Sequence, residues 1–448
     1  MNLSQALRLP NAPFVALVGA GGKTTALFQL AKELSPCIIT TTTHLGAWQV
    51  NQQDVHILWK TGAPLPDIES SISAGITLIT GELEGDRYRG LDARQLGKLK
   101  GLAGYHDLPL LVEADGSHQK PLKAPAEHEP VIPEIADTVI VVAGLSGLGE
   151  PLREEHVHRP EVFASLSGLK IDAPITNDAL ARVLAHPTGG LKNIPVKARR
   201  VALFNQADTR ELQAEGQKLA QSLLFAYDAV IISSLNPSQN QESEKRSIFA
   251  IHEKTAGIIL AAGGSTRFGS PKQLLDFHGK PFVRSIAETA LAAGLEPVEI
   301  VTGANAEGVE AVVRDLPVRI IRNPEWQAGQ STSIRAGISA LPDKIGAAVF
   351  LLADQPQVTV SVLRALVERH AQDLPAVLAP YVLDRRANPV LFGSVTFLDL
   401  LKLEGDQGGR TIFSKFSPTY LDWLDEHLLM DVDSPDDYRR LLDAVNDP

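Results

Sequence analysis

The sequence predicts two α/β domains built on mainly parallel sheets. Three observations carry that expectation. Apolar strand-like runs alternate with amphipathic helix-like segments from end to end of the 448 residues. A polar stretch without an apolar period, residues 236–246, divides the chain. Each half then opens the same way, with a strand, a glycine turn and a helix. The domains read as residues 1–235 and 255–448, each large enough to bury its own core.

In chain order, strands are expected at 14–18, 37–40, 109–113, 138–142, 200–204 and 229–233. Helices are expected at 23–33 and 209–225. After the linker, a strand at 257–260 runs straight into a glycine loop. Further strands are expected at 298–302, 318–321, 347–352 and 376–379. The runs 363–369 and 398–401 read as core faces of helices. No self-similarity extends beyond the shared opening, so no internal repeat is assigned.

Composition narrows the class. Hydrophobic content of 44% and charged content of 21% are ordinary for a globular protein. A net charge of −11 gives no general attraction for nucleic acid or anionic lipid. Anionic substrates therefore require local positive sites. Cys37 is the single cysteine and sits in an apolar run, which suits a buried strand position and no internal disulfide. No basic-then-apolar leader and no membrane-length apolar run is visible. A cytoplasmic protein with small-molecule substrates, and with neither nucleic acid nor membrane as partner, is expected.

In the second half, Leu260-Ala261-Ala262-Gly263-Gly264 continues through Arg267 to Lys272-Gln273. Glycines let the backbone N–H groups approach an anion, Arg267 offers a planar fork, and Lys272 a mobile point charge. Together they suit a nucleoside triphosphate whose pyrophosphate must leave. The strand 349–353 delivers Asp354 at its carboxyl end, where open α/β sheets place ligands. A hard carboxylate there suits Mg²⁺ bound between protein and phosphates. Taken alone, Asp354 reads equally as a turn cap.

These segments, with Asn323-Pro-Glu-Trp326, Gly329-Gln-Ser-Thr-Ser-Ile334, Asp354-Gln-Pro356, Arg386-Ala-Asn388-Pro389-Val390, Gly405-Asp406-Gln-Gly408-Gly-Arg410 and Asp431-Val-Asp433-Ser-Pro-Asp-Asp437-Tyr438, resemble molybdenum cofactor cytidylyltransferases. The resemblance covers residues 256–443. It implies a Rossmann-like nucleotidyltransferase domain that transfers CMP from CTP to molybdenum–molybdopterin and releases pyrophosphate. It places Ala261, Ala262, Gly263, Gly264, Arg267 and Lys272 on the nucleotide, Asp354 on Mg²⁺, and Asp433 as a second metal contact. Asp433 also reads as a helix cap. Asp406, Gly408 and Arg410 line the molybdopterin side by the same analogy. The loop opening Leu-Ala-Ala-Gly is similar to cytidylyl enzymes more than to guanylyl ones. Two other readings stay open: a transferase using GTP or another acceptor, and a non-catalytic chaperone for the finished cofactor.

In the first half, the strand 14–18 runs into Gly19-Ala20-Gly21-Gly22-Lys23-Thr24, which opens a helix. That arrangement cradles phosphates at a helix N-terminus, with Lys23 on the β/γ-phosphates and Thr24 on Mg²⁺. The motif is shorter than the full Walker pattern and resembles the loop of Mur-type ligases, which implies a P-loop-like domain. Glu113 or Asp115, ending an apolar strand, suits the Mg²⁺ shell. Asn205-Gln206-Ala207-Asp208 resembles the guanine-reading motif of GTPases, with Asp208 on the base edge and Gln206 replacing the lysine. It reads equally as a turn and helix cap. ATP or GTP is the expected ligand. The Thr40-Thr-Thr-Thr43-His44 run reads as a phosphate or metal lining, or as a plain strand end. His156 and His158, without a third ligand nearby, read as a solvated loop. With Pro121-Leu-Lys123-Ala-Pro125, Glu129-Pro130-Val131-Ile132-Pro133 and Gly144-Leu-Ser-Gly-Leu-Gly149, residues 2–234 resemble the selenium-dependent hydroxylase accessory family. That implies a context, maturation of a molybdenum hydroxylase client protein, and no reaction.

Overall fold

The computed structural model describes residues 1–72, 75–116, 118–235, 247–264 and 268–446. The linker expected at 236–246 and the side chain of Arg267 lie outside the described residues. The chain divides into two compact units, Met1–His252 and Glu253–Pro448. Both are α/β.

The first unit is built on a nine-stranded sheet among the described residues. Its order is Ile248–Glu253, Ala229–Ser233, Arg199–Asn205, Thr138–Gly144, Phe14–Gly19, Leu110–Glu113, Cys37–Thr41, Ile76–Thr80 and Val55–Leu58. From Ala229–Ser233 to Val55–Leu58 every pair is parallel. Such strands are buried on both faces, so they read as continuous apolar runs rather than alternating ones. Phe14–Val18 and Leu110–Glu113 are buried at every position. The register sets Leu17 and Thr41 on either side of Glu113, with Gly19 opposite Val142. All the turns of interest therefore leave from one edge, the carboxyl ends of the strands.

The helix Lys23–Glu33 starts where the loop ends, with Gly22 at φ +117° as its N-cap. The helix expected over 209–225 is shorter, Arg210–Gln221, because Thr209 caps it and the chain turns after Ser222. Phe225 is consequently exposed. The strands Val55–Leu58, Ile76–Thr80 and Ile248–Glu253 were not legible in advance, since runs this short fit helix or strand equally. Cys37 is buried, and burial, helped by Asp54, pushes its thiol up to about 12, which leaves it inert.

The second unit holds an eight-stranded sheet among the described residues. Its order is Arg319–Arg322, Val298–Thr302, Thr255–Ala261, Ala347–Leu352, Val390–Gly393, Val377–Val382 and Arg385–Arg386, with Thr419–Asp422 beside Val377–Val382. The first four strands are parallel. Val390–Gly393 runs antiparallel to both neighbours and Arg385–Arg386 to Val377–Val382, so this sheet is mixed, with parallel pairing still in the majority. Leu363 and Leu366 of the helix Val360–Asp373 are buried, as their spacing implies. The 398–401 run behaves differently. It forms one short turn, Phe397–Leu400, that buries Leu400 and leaves Leu398 exposed, because four residues cannot present a full apolar stripe. No helix among the described residues is long and apolar enough to cross a membrane.

Candidate functional site

The second unit gathers three charged side chains at the carboxyl ends of its central strands. Lys272 opens a short 3-10 turn, Lys272–Leu274, after the glycine loop. Its ammonium lies 3.3 Å from Asp354 Oδ2 and 2.9 Å from Asp433 Oδ1, and donates to the Val432 carbonyl at 2.7 Å. Asp354 follows the strand Ala347–Leu352, next to the strand that feeds the loop. Asp433 arrives from just before the helix Pro435–Asn446. Burial pushes the Asp354 carboxyl above its usual range, against the attraction of Lys272. Burial opposes the Lys272 charge, but its hydrogen bond to Asp433 and the charge of Asp354 outweigh it and raise the lysine.

The cap reading for Asp433 does not hold. Ser434 caps that helix, taking the Asp437 N–H at 3.2 Å, while Asp437 returns to the Ser434 N–H at 2.8 Å. That reciprocal pair satisfies the helix start and leaves the Asp433 carboxylate on Lys272. Gln355 donates to Asp431 at 2.7 Å and ties the Asp354 turn to the same segment. Trp326 lies over the loop: a Cβ on Gly264 would stand 3.2 Å from its ring. A side chain there would press on the indole.

A cavity of about 290 Å³ opens at the ends of the same two strands, with Lys272, Asp354 and Asp433 outside its lining. Leu260 and Leu352, at the ends of the two central strands, form part of its wall. Phe350, Phe392 and Phe413 supply an aromatic lining, and Gln330, Asn388, Arg386 and Arg410 the polar groups. Burial and then the neighbouring Arg410 guanidinium push Arg386 below its usual range. Arg386 also lies 5.3 Å over the Phe413 ring. No described carboxylate pairs with either arginine, so the cavity carries uncompensated positive charge suited to an anion. Ser331 Oγ donates to Gly405 O at 2.6 Å, and Asn323 donates to Thr332 and Ser333 at 2.8 and 3.0 Å. These bonds hold the Gly329–Ile334, Gly405–Arg410 and Asn323 segments together. The resemblance named Asp406, Gly408 and Arg410 here. Gly408 and Arg410 line the cavity, while Asp406 sits outside its lining, near the Gln330 N–H at 3.5 Å. Arg386 had no assigned role, although its own segment was part of the resemblance.

In the first unit the glycine loop is closed on itself. Gly19, Gly21 and Gly22 have φ of +98°, +80° and +117°. A Cβ on Gly21 would stand 2.2 Å from Gly144 N. Lys23 is buried. Its ammonium donates to Gly19 O at 2.7 Å and pairs with Asp115 at 3.2 Å. Asp115 also accepts from the Gly19 N–H at 2.9 Å and from Lys123 at 2.8 Å. With two ammonium groups and an amide on it, Asp115 is engaged as an anchor of the loop. Glu113 is the carboxylate beside the helix start, accepting from Thr24 Oγ1 at 3.0 Å. Burial pushes Glu113 above the usual carboxylate range, in spite of Lys23 and Thr24.

A buried ion chain extends from there. Lys123 reaches Glu129 at 2.9 Å, and Arg159 donates to Glu129 at 2.8 and 3.3 Å. Burial would raise Glu129, but the hydrogen bonds and charges of Lys123 and Arg159 outweigh it and hold the carboxyl down at about 2. Sequence reasoning missed this chain; charged residues between closely spaced prolines were its signal. The Asn205–Asp208 segment reaches the loop through Asn205, which donates to Gly21 O at 2.9 Å. Asp208 accepts from Ser234 Oγ and is exposed. The Thr40, Thr41 and Thr42 hydroxyls all donate to main-chain carbonyls, so they stitch strands rather than face a phosphate. His158 stacks on His118, ring centroids 4.4 Å apart, and does not form a pair with His156. Among the described residues no group of three or more His, Cys, Asp or Glu is arranged to hold a metal ion. Asp354 and Asp433 still fit a hard divalent cation, because both reach one cationic atom and phosphate oxygens commonly complete such a shell.

The comparisons agree with this division. Residues 15–161 match the model of the YqeC protein family, and residues 257–419 that of the MobA-like NTP transferase domain. The uncharacterized protein YqeC of Escherichia coli is 35% identical over 225 residues, covering 47% of this chain and 82% of its own. The chain belongs to both families. Its second unit is a nucleotidyltransferase domain, and its first a YqeC-family domain. The nicotine blue oxidoreductase of Paenarthrobacter nicotinovorans is 34% identical to the MobA-like half over 204 residues, 42% of this chain and 95% of that protein. Rv0371c of Mycobacterium tuberculosis, solved as a manganese complex, is 27% identical, covers 43% of this chain and 99% of its own, and has a TM-score of 0.38.

Proposed function

We propose that the MobA-like unit transfers CMP from CTP to the terminal phosphate of molybdenum–molybdopterin. The observation that carries this is the Asp354–Lys272–Asp433 cluster and a cavity with two unpaired arginines, both at the ends of the same central strands. The Gly263 and Gly264 amides and Lys272 hold the triphosphate of CTP. Arg386 and Arg410 hold the acceptor phosphate, and the phenylalanines cover the ring system behind it. A phosphate oxygen of the acceptor attacks the α-phosphorus, the bond to the β-phosphate bridging oxygen breaks, and pyrophosphate leaves. No protein nucleophile is needed, since the residues position two anions and offset their charge. Asp354 and Asp433 would hold Mg²⁺, which supplies further neutralisation of the triphosphate and the departing pyrophosphate.

For the YqeC-family unit we propose ATP or GTP binding at Gly19–Thr24, in service of the same molybdenum hydroxylase maturation. Lys23 must leave Asp115 to reach a phosphate, so triphosphate binding opens the closed loop. Glu113, beside Thr24, completes a Mg²⁺ site there better than Asp115.

The test is direct. Full-length protein is incubated with each nucleoside triphosphate, Mg²⁺ and molybdenum–molybdopterin, and the products are identified by mass spectrometry. A cytosine dinucleotide cofactor and stoichiometric pyrophosphate are expected with CTP alone. A guanine product, or none from any triphosphate, overturns the CMP reading, the second outcome in favour of a cofactor chaperone.

A further inference from the structure

One sizeable cavity belongs to neither glycine loop. It measures about 600 Å³ and lies at the carboxyl end of the Cys37–Thr41 strand in the YqeC-family unit. We propose that it is a binding site for a compact organic molecule, neutral or singly charged, with one apolar face and hydrogen-bonding groups on the other. This stands without the reading of Gly19–Thr24 as a triphosphate site.

The volume is in the range of pockets for small organic ligands, roughly 300–1,000 Å³. The cavity's walls are separate segments that the fold holds in close contact. The small sheet of Leu45–Gly46, Arg87–Tyr88 and Leu83–Glu84 carries Arg89 and Gly90 directly over Thr42 and Thr43. A Cβ on Gly90 would stand 2.4 Å from Thr43 O, so glycine alone permits this crossing. Thr42 Oγ1 donates to Val131 O at 2.9 Å and fixes the opposite loop. The helix Ala93–Tyr105, capped by Asp92, closes the third side.

The lining states the ligand's chemistry. Leu91, Leu96, Ile132 and Pro133 offer an apolar wall; Thr43 and Thr61 offer hydroxyls. Val131 and Ile135 border the cavity while 46% and 41% exposed, apolar surface that an occupant would cover. The charges balance. Arg89 and His44 lie 3.8 and 3.7 Å from Glu84, and Asp92 is engaged by the Arg94 and Gln95 amides at 2.9 and 2.8 Å. With Glu134 the remaining acid, no surplus positive charge is left for a polyphosphate. A nucleoside triphosphate is therefore the wrong class, and a flat or aliphatic ring bearing at most one charge is the right one.

The probe is 1-anilinonaphthalene-8-sulfonate, an aromatic monoanion that fluoresces in apolar surroundings, titrated into the full-length protein. Ala93→Trp and Ile135→Trp fill the cavity from two different elements. Each is expected to weaken the saturable component at least about tenfold, while Val196→Ser, at an exposed position of the same unit outside the cavity lining, changes it by less than about threefold. Saturating ATP and CTP are expected to leave the signal in place. Wild-type affinity in both tryptophan variants overturns the proposal, and so does displacement of the probe by ATP. Thermal unfolding of each variant identifies one that has failed to fold, in which case the other filler decides.

Discussion

Lys23 and Lys272 are placed alike in the sequence, each just after a glycine loop that ends a central strand, yet the fold treats them differently. Lys23 is fully buried, with its charge matched by Asp115, which a second lysine also claims. Lys272 is partly open and stands between two carboxylates, one of them largely exposed. The same local pattern therefore yields a closed anchor in one unit and an open charged cluster in the other. What separates them is the number of partners that the rest of the chain brings to the lysine. A buried ion pair is a weak source of net stability but costly to break, whereas a half-open cluster exchanges partners readily.

The largest effect should come from the open cluster. Asp354→Ala is expected to lower pyrophosphate release from CTP and molybdenum–molybdopterin by about 10³-fold, the scale seen when a charge-stabilising group is removed. A rate within a few-fold of wild type removes Asp354 from the site and breaks the contrast.

Next is the buried chain. Glu129→Gln leaves Lys123 and Arg159 without their shared carboxylate and is expected to cost about 3–5 kcal/mol in the YqeC-family unit, measured by denaturant unfolding. The pH dependence follows from the same group. Its folded value of about 2 lies below the ordinary 4.5, so its stabilisation is present above 4.5 and is lost as pH falls toward 2. Acid unfolding of wild type should steepen in that window, and the Gln variant should lack that component.

Lys23→Ala should weaken ATP or GTP binding to the full-length protein by about tenfold in calorimetry, or 1.4 kcal/mol. Unchanged binding would leave the closed loop as architecture alone.

The smallest effect sharpens the comparison most. Because burial raises the Asp354 carboxyl, its ionised form is penalised in the folded protein, and stability falls as pH rises through the window between unfolded and folded values. Asp354→Asn should therefore raise the unfolding midpoint at neutral pH by about 2 °C, while Glu129→Gln lowers it. A lower midpoint for Asp354→Asn would make its carboxylate a structural anchor, like Asp115.

Much of this protein was determined by the sequence alone. Apolar runs such as 110–112 and 139–143, set between helix-like segments and turn residues, point to parallel strands buried on both faces. Glycines 19, 21 and 22 before Lys23 mark where the backbone takes a positive φ and approaches closely, since a side chain there is excluded by contact distance. Asp354 was legible because the strand before it dictates its position. Tertiary structure alone decided which carboxylate each cation meets. Glu113 ends its strand and Asp115 lies two residues beyond it, and the turn of the chain there gives one carboxylate to Thr24 and the other to Lys23 and Lys123. Arg386 and Arg410, or Lys123, Glu129 and Arg159, come together only through contacts between distant segments. Charge pairing depends on distance and burial, and a linear sequence specifies neither until the chain has closed on itself.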